Sequence, residues 1–265
     1  MLDQSKRYKQ FYSEKWLERY SFWHELMDGM IESQVDAIVE TVKSMNKPLV
    51  RVLDVGCGIG DVTNRALEKL KEVDIELTAN DASEEVLEKY KLVNEAYGPK
   101  IILKDMERLP EAMESRFDLI LFSHSLYGVS LEGLFEKYVE MLNGNGCILI
   151  FLTSHDSDTI QISKKFWKRV HKCEHDETLA EDVIDKINHL KLDYSVKEFK
   201  QEVNFDKLRK IKSSGIRDLL VPFLFRLQEF SEKNEIGDYM ERLSRKKKVY
   251  NIIKAITVSA RKSSG

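Results

Sequence analysis

The spacing of apolar residues along the chain changes from a helical to a strand-like period near residue 48. From Trp16 to Val42 apolar residues recur at intervals of three and four, which predicts amphipathic helices over residues 8–45. Pro48 disfavours helix in the residue before it, so the helical region is expected to end there. The segment Leu49–Val55 is short, apolar and β-branched, as is typical of a strand that is buried on both faces.

Strand-like and helical segments then alternate. We predict strands at Ile75–Ala79, Ile101–Leu103, Phe117–Phe122 and Cys147–Leu152, helices near 62–71, 83–93 and 131–142, and a tight turn at the Asn-Gly-Asn-Gly of residues 143–146. Such alternation indicates βαβ units and a mostly parallel sheet covered by helices, an α/β fold. After residue 153 the pattern predicts helices over 158–192, a strand at Tyr194–Phe199, mixed helical structure over 205–246 and a last strand at Tyr250–Ala260. We expect a single domain over 1–265, with a helical N-terminal lid (1–46), a core (48–155), and substrate-cap insertions with the final strands (156–265).

Composition narrows the class of protein. Of 265 residues, 42% are hydrophobic and 33% charged, and 42 basic residues nearly balance 45 acidic ones, for a net charge of −3. Nucleic-acid binding is therefore not expected, because it usually needs a basic excess. No apolar stretch approaches the roughly 20 residues of a membrane span, so no membrane association is expected. Three scattered cysteines fit a reducing, cytoplasmic location. The sequence does not indicate an oligomeric state.

The most informative segment joins the first strand to the following helix. Asp54 lies inside the strand, just before Gly56, Gly58 and Gly60, which follow in a GxGxG spacing where an open α/β sheet binds its ligands. Glycines permit a tight turn and a close approach of the backbone to a ligand. A P-loop is excluded because its lysine and hydroxyl residue are missing. By itself, such a glycine turn is also compatible with a purely structural role.

Acidic residues follow the next two predicted strands. Asp81 comes directly after the second strand, where a carboxylate can accept hydrogen bonds from both hydroxyls of a ribose. Asp105 follows the third strand, where an acceptor can reach an exocyclic adenine amine. The neighbouring Met106 can pack on an adenine ring, although plain core packing is an equal alternative for it.

Taken in order, the segments LDVGCGIGD, NDAS, KDMERLP, FDLILFSHSLYGV and LNGNGCILIFL resemble the motifs of class I S-adenosylmethionine-dependent methyltransferases over residues 48–155. The resemblance implies a Rossmann-like sheet of seven strands in the order 3-2-1-4-5-7-6, with strand 7 antiparallel, and S-adenosylmethionine as cofactor. It further implies three groups of cofactor-binding residues: Asp54, Gly56, Gly58 and Gly60 on the methionine side, Asp81 at the ribose and Asp105 with Met106 at the adenine, while Ser123 contacts the cofactor from the fourth strand.

Candidate catalytic residues follow the fourth and fifth strands. His124 is the first choice for a proton acceptor facing the substrate, and Tyr127 and His155 are further candidates. The chain lacks an Asn/Asp-Pro-Pro-Tyr/Phe pattern, which resembling enzymes use to hold a planar base or amide nitrogen. Together with SHSLYGV, which loosely resembles the histamine N-methyltransferases, this favours a small-molecule amine as acceptor. O- or carboxyl-, peptide and RNA methylation, and cofactor binding without turnover, stay open as alternatives.

Two regions outside the core, the N-terminal segment and residues 216–230, are candidate caps. In the aromatic N-terminal segment, Tyr12, Tyr20 and Trp23 are candidate substrate-binding residues of a lid, and ordinary core packing is the alternative. A second cap is expected around residues 216–230.

His171 and His175 have a zinc-compatible spacing but no clear further ligand, so no metal site is predicted. The basic residues at 242 and 245–248 read as a solvated face, with RNA contact as the alternative.

Overall fold

The secondary structure follows the predicted alternation closely. The computed structural model describes residues 22–23, 26–211, 214–227 and 231–262. The strands are β1 Leu49–Val55, β2 Asp74–Asp81, β3 Lys100–Leu103, β4 Phe117–Ser123, β5 Leu142–Thr153, β6 Leu192–Glu202 and β7 Tyr250–Lys262. The helices are α1 Asp28–Ser44, α2 Asp61–Glu68, α3 Glu84–Val93, α4 Leu134–Glu140, α5 Asp158–His171, α6 Ala180–His189, α7 Phe205–Ile211, α8 Val221–Leu224 and α9 Lys233–Lys246, with a π-helical turn at Ile216–Leu220.

The seven strands form one sheet in the order β3-β2-β1-β4-β5-β7-β6, and β7 is antiparallel. Strand β1 pairs in parallel with β2 on one side and β4 on the other, so that Val52 lies opposite both Leu77 and Leu119. The crossovers between parallel strands place helices on the faces of a sheet, and burial of β1 on both faces explains its run of apolar residues. The predicted strand order and the antiparallel last strand are confirmed.

Local sequence signals fix the start of helix α3. Ser83 is its N-cap, and the Ser83 hydroxyl accepts a hydrogen bond from the Val86 N–H at 3.4 Å. Glu84 and Glu85 lie in the first turn, where negative charge complements the helix dipole. Ser83 therefore caps the helix that follows β2, at the start of the helical region predicted over 83–93.

The prediction of a tight turn at residues 143–146 is wrong. These residues extend β5, whose register with β4 shifts between the pairs Phe117–Leu142 and Leu119–Cys147. The extra residues form an irregularity of the bulge type, which is a common use of glycine in strands. An added Cβ at Gly146 would lie 2.9 Å from the Phe117 carbonyl oxygen, so only glycine fits against the neighbouring strand there.

The chain divides into two compact units. One contains Met1–Ile31, Thr153–Glu177 and Phe199–Ile253, and the other contains Glu32–Leu152, Thr178–Glu198 and Lys254–Gly265. The second unit has a continuous hydrophobic core between strands and helices, which includes the fully buried Leu53, Val55, Ile120, Phe122, Tyr138 and Ile150. In the first unit, Ile252 of β7 accepts a hydrogen bond from the Ser154 N–H at 2.8 Å. Among the described residues, no helix is both long and apolar enough to cross a membrane.

Candidate functional site

The three glycines after β1 all adopt positive φ angles, of 60°, 57° and 78° at Gly56, Gly58 and Gly60. Glycine reaches this region without a steric penalty. An added Cβ at Gly56 would lie 2.5 Å from the Cβ of Ser125 and 3.0 Å from the Cε of Met106. At Gly58 it would meet no atom within 4 Å. The turn is therefore closely packed at its first glycine and open at its second.

Asp54 is buried at the end of β1, with 1% of its surface exposed. Its Oδ2 accepts hydrogen bonds from the Thr63 hydroxyl at 2.6 Å and the Tyr90 hydroxyl at 3.1 Å. The Oδ1 atom is buried and has no hydrogen-bond partner among the described residues. Burial raises the pKa of Asp54 to about 7, although the two hydroxyls oppose the shift. A buried carboxyl group with one unused oxygen is thus held beside the glycine turn.

Asp81, at the end of β2, contacts the same turn. One carboxylate oxygen accepts the Gly58 N–H at 3.2 Å, and the other accepts the Ser83 N–H at 3.0 Å. Burial raises the pKa of Asp81 above its ordinary value, and the backbone hydrogen bonds partly offset that shift. A carboxylate offers about four lone-pair positions, so Asp81 can accept two more hydrogen bonds. The structure therefore brings Asp81, Asp54 and the glycine turn together.

Asn80 is a structural residue of this site that the sequence patterns do not reveal. It is fully buried, and its amide nitrogen donates to the carbonyl oxygens of Ile102 at 3.0 Å and Lys104 at 2.8 Å. The main-chain carbonyl oxygen of Asn80 accepts a hydrogen bond from the Cys57 N–H at 2.9 Å. Asn80 therefore ties the glycine turn to the loop after β3.

Met106 and Asp105 lie in that loop. The Met106 side chain is partly buried against the core, and its Cε borders Gly56. Its carbonyl accepts the Tyr138 hydroxyl at 2.8 Å, which anchors the loop to α4. Asp105 is exposed and precedes the short 3₁₀ turn Met106–Arg108. The structure thus places the Met106 side chain beside the glycine turn, and packing against the core buries part of that side chain.

The segment after β4 carries the first-choice proton acceptor. Ser123 is the last residue of the strand, and His124 follows it with φ of 55°, a sterically uncommon value for a residue other than glycine. The His124 Nδ1 lies 3.0 Å from the Tyr127 hydroxyl, and the two rings are nearly parallel. The His124 N–H donates to the Phe151 carbonyl at 3.0 Å, which holds the unusual backbone conformation in place. His124 and Tyr127 therefore form one hydrogen-bonded pair.

Ser125 was not singled out by the sequence. Its Cβ is the atom closest to an added Cβ at Gly56, and its hydroxyl oxygen is buried without a hydrogen-bond partner among the described residues. Thr63 and Tyr90, the partners of Asp54, were missed as well. A hydroxyl residue in the first turn of α2 is a usable signal for Thr63. Tyr90 lies 36 positions from Asp54, and no sequence pattern connects them.

The remaining candidates belong to the first unit or lie outside the described residues. His155 is exposed, and its Nε2 lies 3.4 Å from a carboxylate oxygen of Asp156. Trp23 stacks on Phe223 with ring centroids 5.0 Å apart. Tyr12 and Tyr20 lie outside the described residues.

The paired histidines at 171 and 175 pack against an aromatic ring. Their ring centroids lie 4.0 Å and 4.6 Å from that of Trp167. Burial would raise the pKa of Glu177, but Arg226 and His175 outweigh it and hold that pKa below its ordinary value. Within the described ranges, no group of three or more His, Cys, Asp or Glu side chains is arranged to hold a metal ion.

Residues 52–146 match the family model described as a methyltransferase domain. Residues 52–146 therefore form a methyltransferase domain, and its fold is that of the class I, S-adenosylmethionine-dependent enzymes. The resemblance drawn from the ordered motifs is thereby confirmed. No curated protein sequence matches the chain significantly.

Solved structures share the fold of this methyltransferase domain. YcgJ from Bacillus subtilis is 14% identical, with a TM-score of 0.59 over 88% of this chain and 100% of its own. Magnesium protoporphyrin IX methyltransferase from Synechocystis, solved with bound S-adenosylhomocysteine, is 10% identical, with a TM-score of 0.56 over 96% and 99%. A Thermotoga maritima methyltransferase, for which histamine N-methylation is the suggested activity, is 14% identical, with a TM-score of 0.53 over 94% and 97%. Identities this low establish the fold and leave the acceptor open.

Proposed function

We propose that this methyltransferase transfers the methyl group of S-adenosylmethionine to a small-molecule acceptor, with an amine nitrogen as the acceptor atom. The observation that carries the cofactor site is the juxtaposition of Asp81 with the glycine turn. The Asp81 carboxylate is fixed by the Gly58 and Ser83 N–H groups and keeps two acceptor positions. Those two positions match the two hydroxyls of a ribose.

The other polar groups of the site also fit S-adenosylmethionine, in which an adenosine is joined to a charged amino-acid group. The buried, unpartnered Asp54 Oδ1 and Ser125 hydroxyl supply an acceptor and a donor next to the glycine turn. In this proposal Gly56, Gly58 and Gly60 shape the methionine side and Ser123 contacts it from β4. Met106 packs on the adenine, while Asp105 accepts a hydrogen bond from the adenine amine.

When bound, the cofactor supplies a sulfonium methyl group with a good leaving group, so the chain mainly has to position the acceptor and exclude water. An amine must be unprotonated to attack. We assign its proton to the His124 ring, whose Nδ1 is hydrogen-bonded to Tyr127. A positioned histidine is the commonest general base in enzymes. His155 is the second candidate for this role.

Several properties of the chain support an amine rather than a nucleobase as acceptor. The chain lacks the Asn/Asp-Pro-Pro-Tyr/Phe pattern that resembling enzymes use for planar nitrogens, and its net charge is −3. Histamine N-methylation is the suggested activity of one structural relative, whereas another acts on a porphyrin. The proposal includes a cytoplasmic location, a single functional domain over 1–265, and a substrate lid containing Tyr12, Tyr20 and Trp23.

Two measurements test the proposal in sequence. Isothermal titration with S-adenosylmethionine tests the pocket, and the absence of binding would refute it. Transfer of a tritiated methyl group is then compared for pools of amines, alcohols and carboxylic acids, peptides, and RNA. Label in the amine pool supports the assignment, and label confined to another pool replaces it with that acceptor. Binding without transfer to any pool would establish cofactor binding without turnover.

A further inference from the structure

Three exposed cations lie on one face of helix α9. Arg242, Arg245 and Lys246 occupy positions i, i+3 and i+4, which face the same side of a helix. All three are exposed. Among the residues that the structure describes, none of the three has a carboxylate within 4.0 Å. We call these residues the basic face.

The neighbouring cations differ from the basic face, because each has a carboxylate partner. Lys247 Nζ lies 2.6 Å from an oxygen of Asp158, and Lys248 Nζ lies 2.6 Å from an oxygen of Glu202. Arg209 is likewise paired, with Glu241 at 2.9 Å. Among these neighbours, cations without a close carboxylate are thus confined to the three side chains of the basic face, although the charge of Arg242 still lowers the pKa of Asp238.

The basic face borders a groove of about 540 Å³ between the ends of β6 and α9. Arg245 and Lys246 line it with three further cations and two carboxylates, so that cations exceed carboxylates by five to two: Arg209, Lys247, Lys248, Glu202 and Asp206. Its three apolar members, Val203, Phe205 and Val249, are 2%, 7% and 1% exposed. The groove therefore offers charge and hydrogen-bond donors and almost no apolar surface.

Helix stability alone does not account for this arrangement. Cations in the last helical turn complement the helix dipole, which favours Arg245 and Lys246. Arg242 lies before that turn, where the effect has fallen off. Like charges at these spacings destabilise a helix by about 0.2–0.5 kcal/mol per pair. Asp238 and Glu241, four residues before Arg242 and Arg245, offset part of this repulsion. Lys246 has no acidic residue at either spacing.

We propose that the basic face and its groove bind the sugar–phosphate backbone of a nucleic acid. Contacts to phosphates need only cations and hydrogen-bond donors, and they carry no sequence information. A folded protein partner would need apolar or aromatic side chains at the centre of its interface. A membrane-surface helix would need exposed apolar side chains beside its cations. The groove exposes neither.

This binding is separate from the proposed methyl transfer. A nucleic acid held through its phosphates localises the enzyme and need not be the methyl acceptor. The three cations belong to the first unit, and the candidate cofactor residues belong to the second. Loss of nucleic-acid binding would therefore leave the cofactor titration and amine methylation unchanged, and failure of either proposal is measured separately.

The test is fluorescence anisotropy of a labelled single-stranded polyuridine oligonucleotide, titrated with the full-length protein over a series of salt concentrations. We expect the logarithm of the observed binding constant to fall linearly with the logarithm of the salt concentration. The triple variant Arg242→Gln/Arg245→Gln/Lys246→Gln should bind about tenfold more weakly at low salt. Its salt slope should be shallower by about 2, since each lost phosphate contact on a single strand contributes about 0.7.

The matched control removes three exposed positive charges elsewhere, in Lys43→Gln/Lys71→Gln/Lys91→Gln. It has the same net charge as the test variant and should bind within about twofold of wild type, because only local charge matters at short range. Circular dichroism verifies that both variants fold. Equal losses in the two variants, or no binding by wild type at low salt, would overturn the proposal. Competition by inorganic phosphate at the same phosphate concentration would replace the nucleic acid with a free phosphate ligand.

Discussion

Replacing Asp54 by Asn should make the folded protein more stable at neutral pH. Burial raises the pKa of Asp54 from 3.8 to about 7, so the folded state holds a proton that the unfolded chain releases above pH of about 4. The wild-type protein therefore loses stability as pH rises between about 4 and 7. The shift of about 3 pKa units corresponds to a loss of about 4 kcal/mol, at 1.36 kcal/mol per unit.

The variant Asp54→Asn removes this titration and keeps the local hydrogen bonds. Both hydroxyls donate to Oδ2, which the Asn carbonyl oxygen can replace, and Oδ1 has no partner to lose. We expect equal stability of the two proteins below about pH 4. Above pH of about 7 the variant should be more stable by an amount on the order of 4 kcal/mol.

Urea denaturation, followed by far-UV circular dichroism at a series of pH values, measures this difference. Asp118→Asn is the matched control. Burial acts to raise the pKa of Asp118, but hydrogen bonds from the Arg51 N–H, Lys47 and Asn143 lower it below its ordinary value. Its contribution is therefore present at neutral pH and lost as pH falls, so this variant should be less stable near neutrality. Parallel pH curves for wild type and Asp54→Asn would refute the reasoning.

Four further substitutions test the proposed site residues and the glycine turn. Asp81→Asn should weaken S-adenosylmethionine binding more than tenfold in calorimetry, because one ribose acceptor becomes a donor; unchanged affinity would remove Asp81 from the ribose. His124→Ala should lower the rate of methyl transfer while cofactor affinity stays within about twofold, and full activity would make its role structural. Gly60→Ala should cost more than about 2 kcal/mol of unfolding free energy, because its Cβ would lie 2.5 Å from a buried amide. Gly58→Ala, which meets only backbone strain, should cost about 1 kcal/mol, and equal losses would contradict this steric account.

Signals from adjacent residues made much of the candidate cofactor site and its flanking elements predictable. The apolar run of β1, the Ser83 cap and the glycines at 56, 58 and 60 each depend on a few neighbouring residues. Steric limits on φ, helix capping and the apolar pattern of a strand are all set over that same short range. The strand order was predicted from the resemblance of the ordered motifs to a known family. The position of Asp81 beside the turn was predicted from its place directly after the second strand.

Long-range pairing was not accessible in this way. The hydroxyl of Tyr90 reaches Asp54 across 36 positions, and Asn80 joins two loops through its amide. The turn predicted at residues 143–146 became a strand because pairing with β4 outweighed a local turn preference.

The sequence by itself determined the βαβ order, the glycine turn and the type of each candidate side chain, because these follow from the chemistry of adjacent residues. Only the tertiary structure decided which of those side chains keep unused polar atoms. In the structure, the Asp54 Oδ1 is buried beside the glycine turn. Lys247 and Lys248 have carboxylate partners, whereas the three cations of the basic face have none within 4.0 Å among the described residues. Burial and charge pairing depend on residues that are distant in sequence, so a near-zero net charge says nothing about where the charge lies.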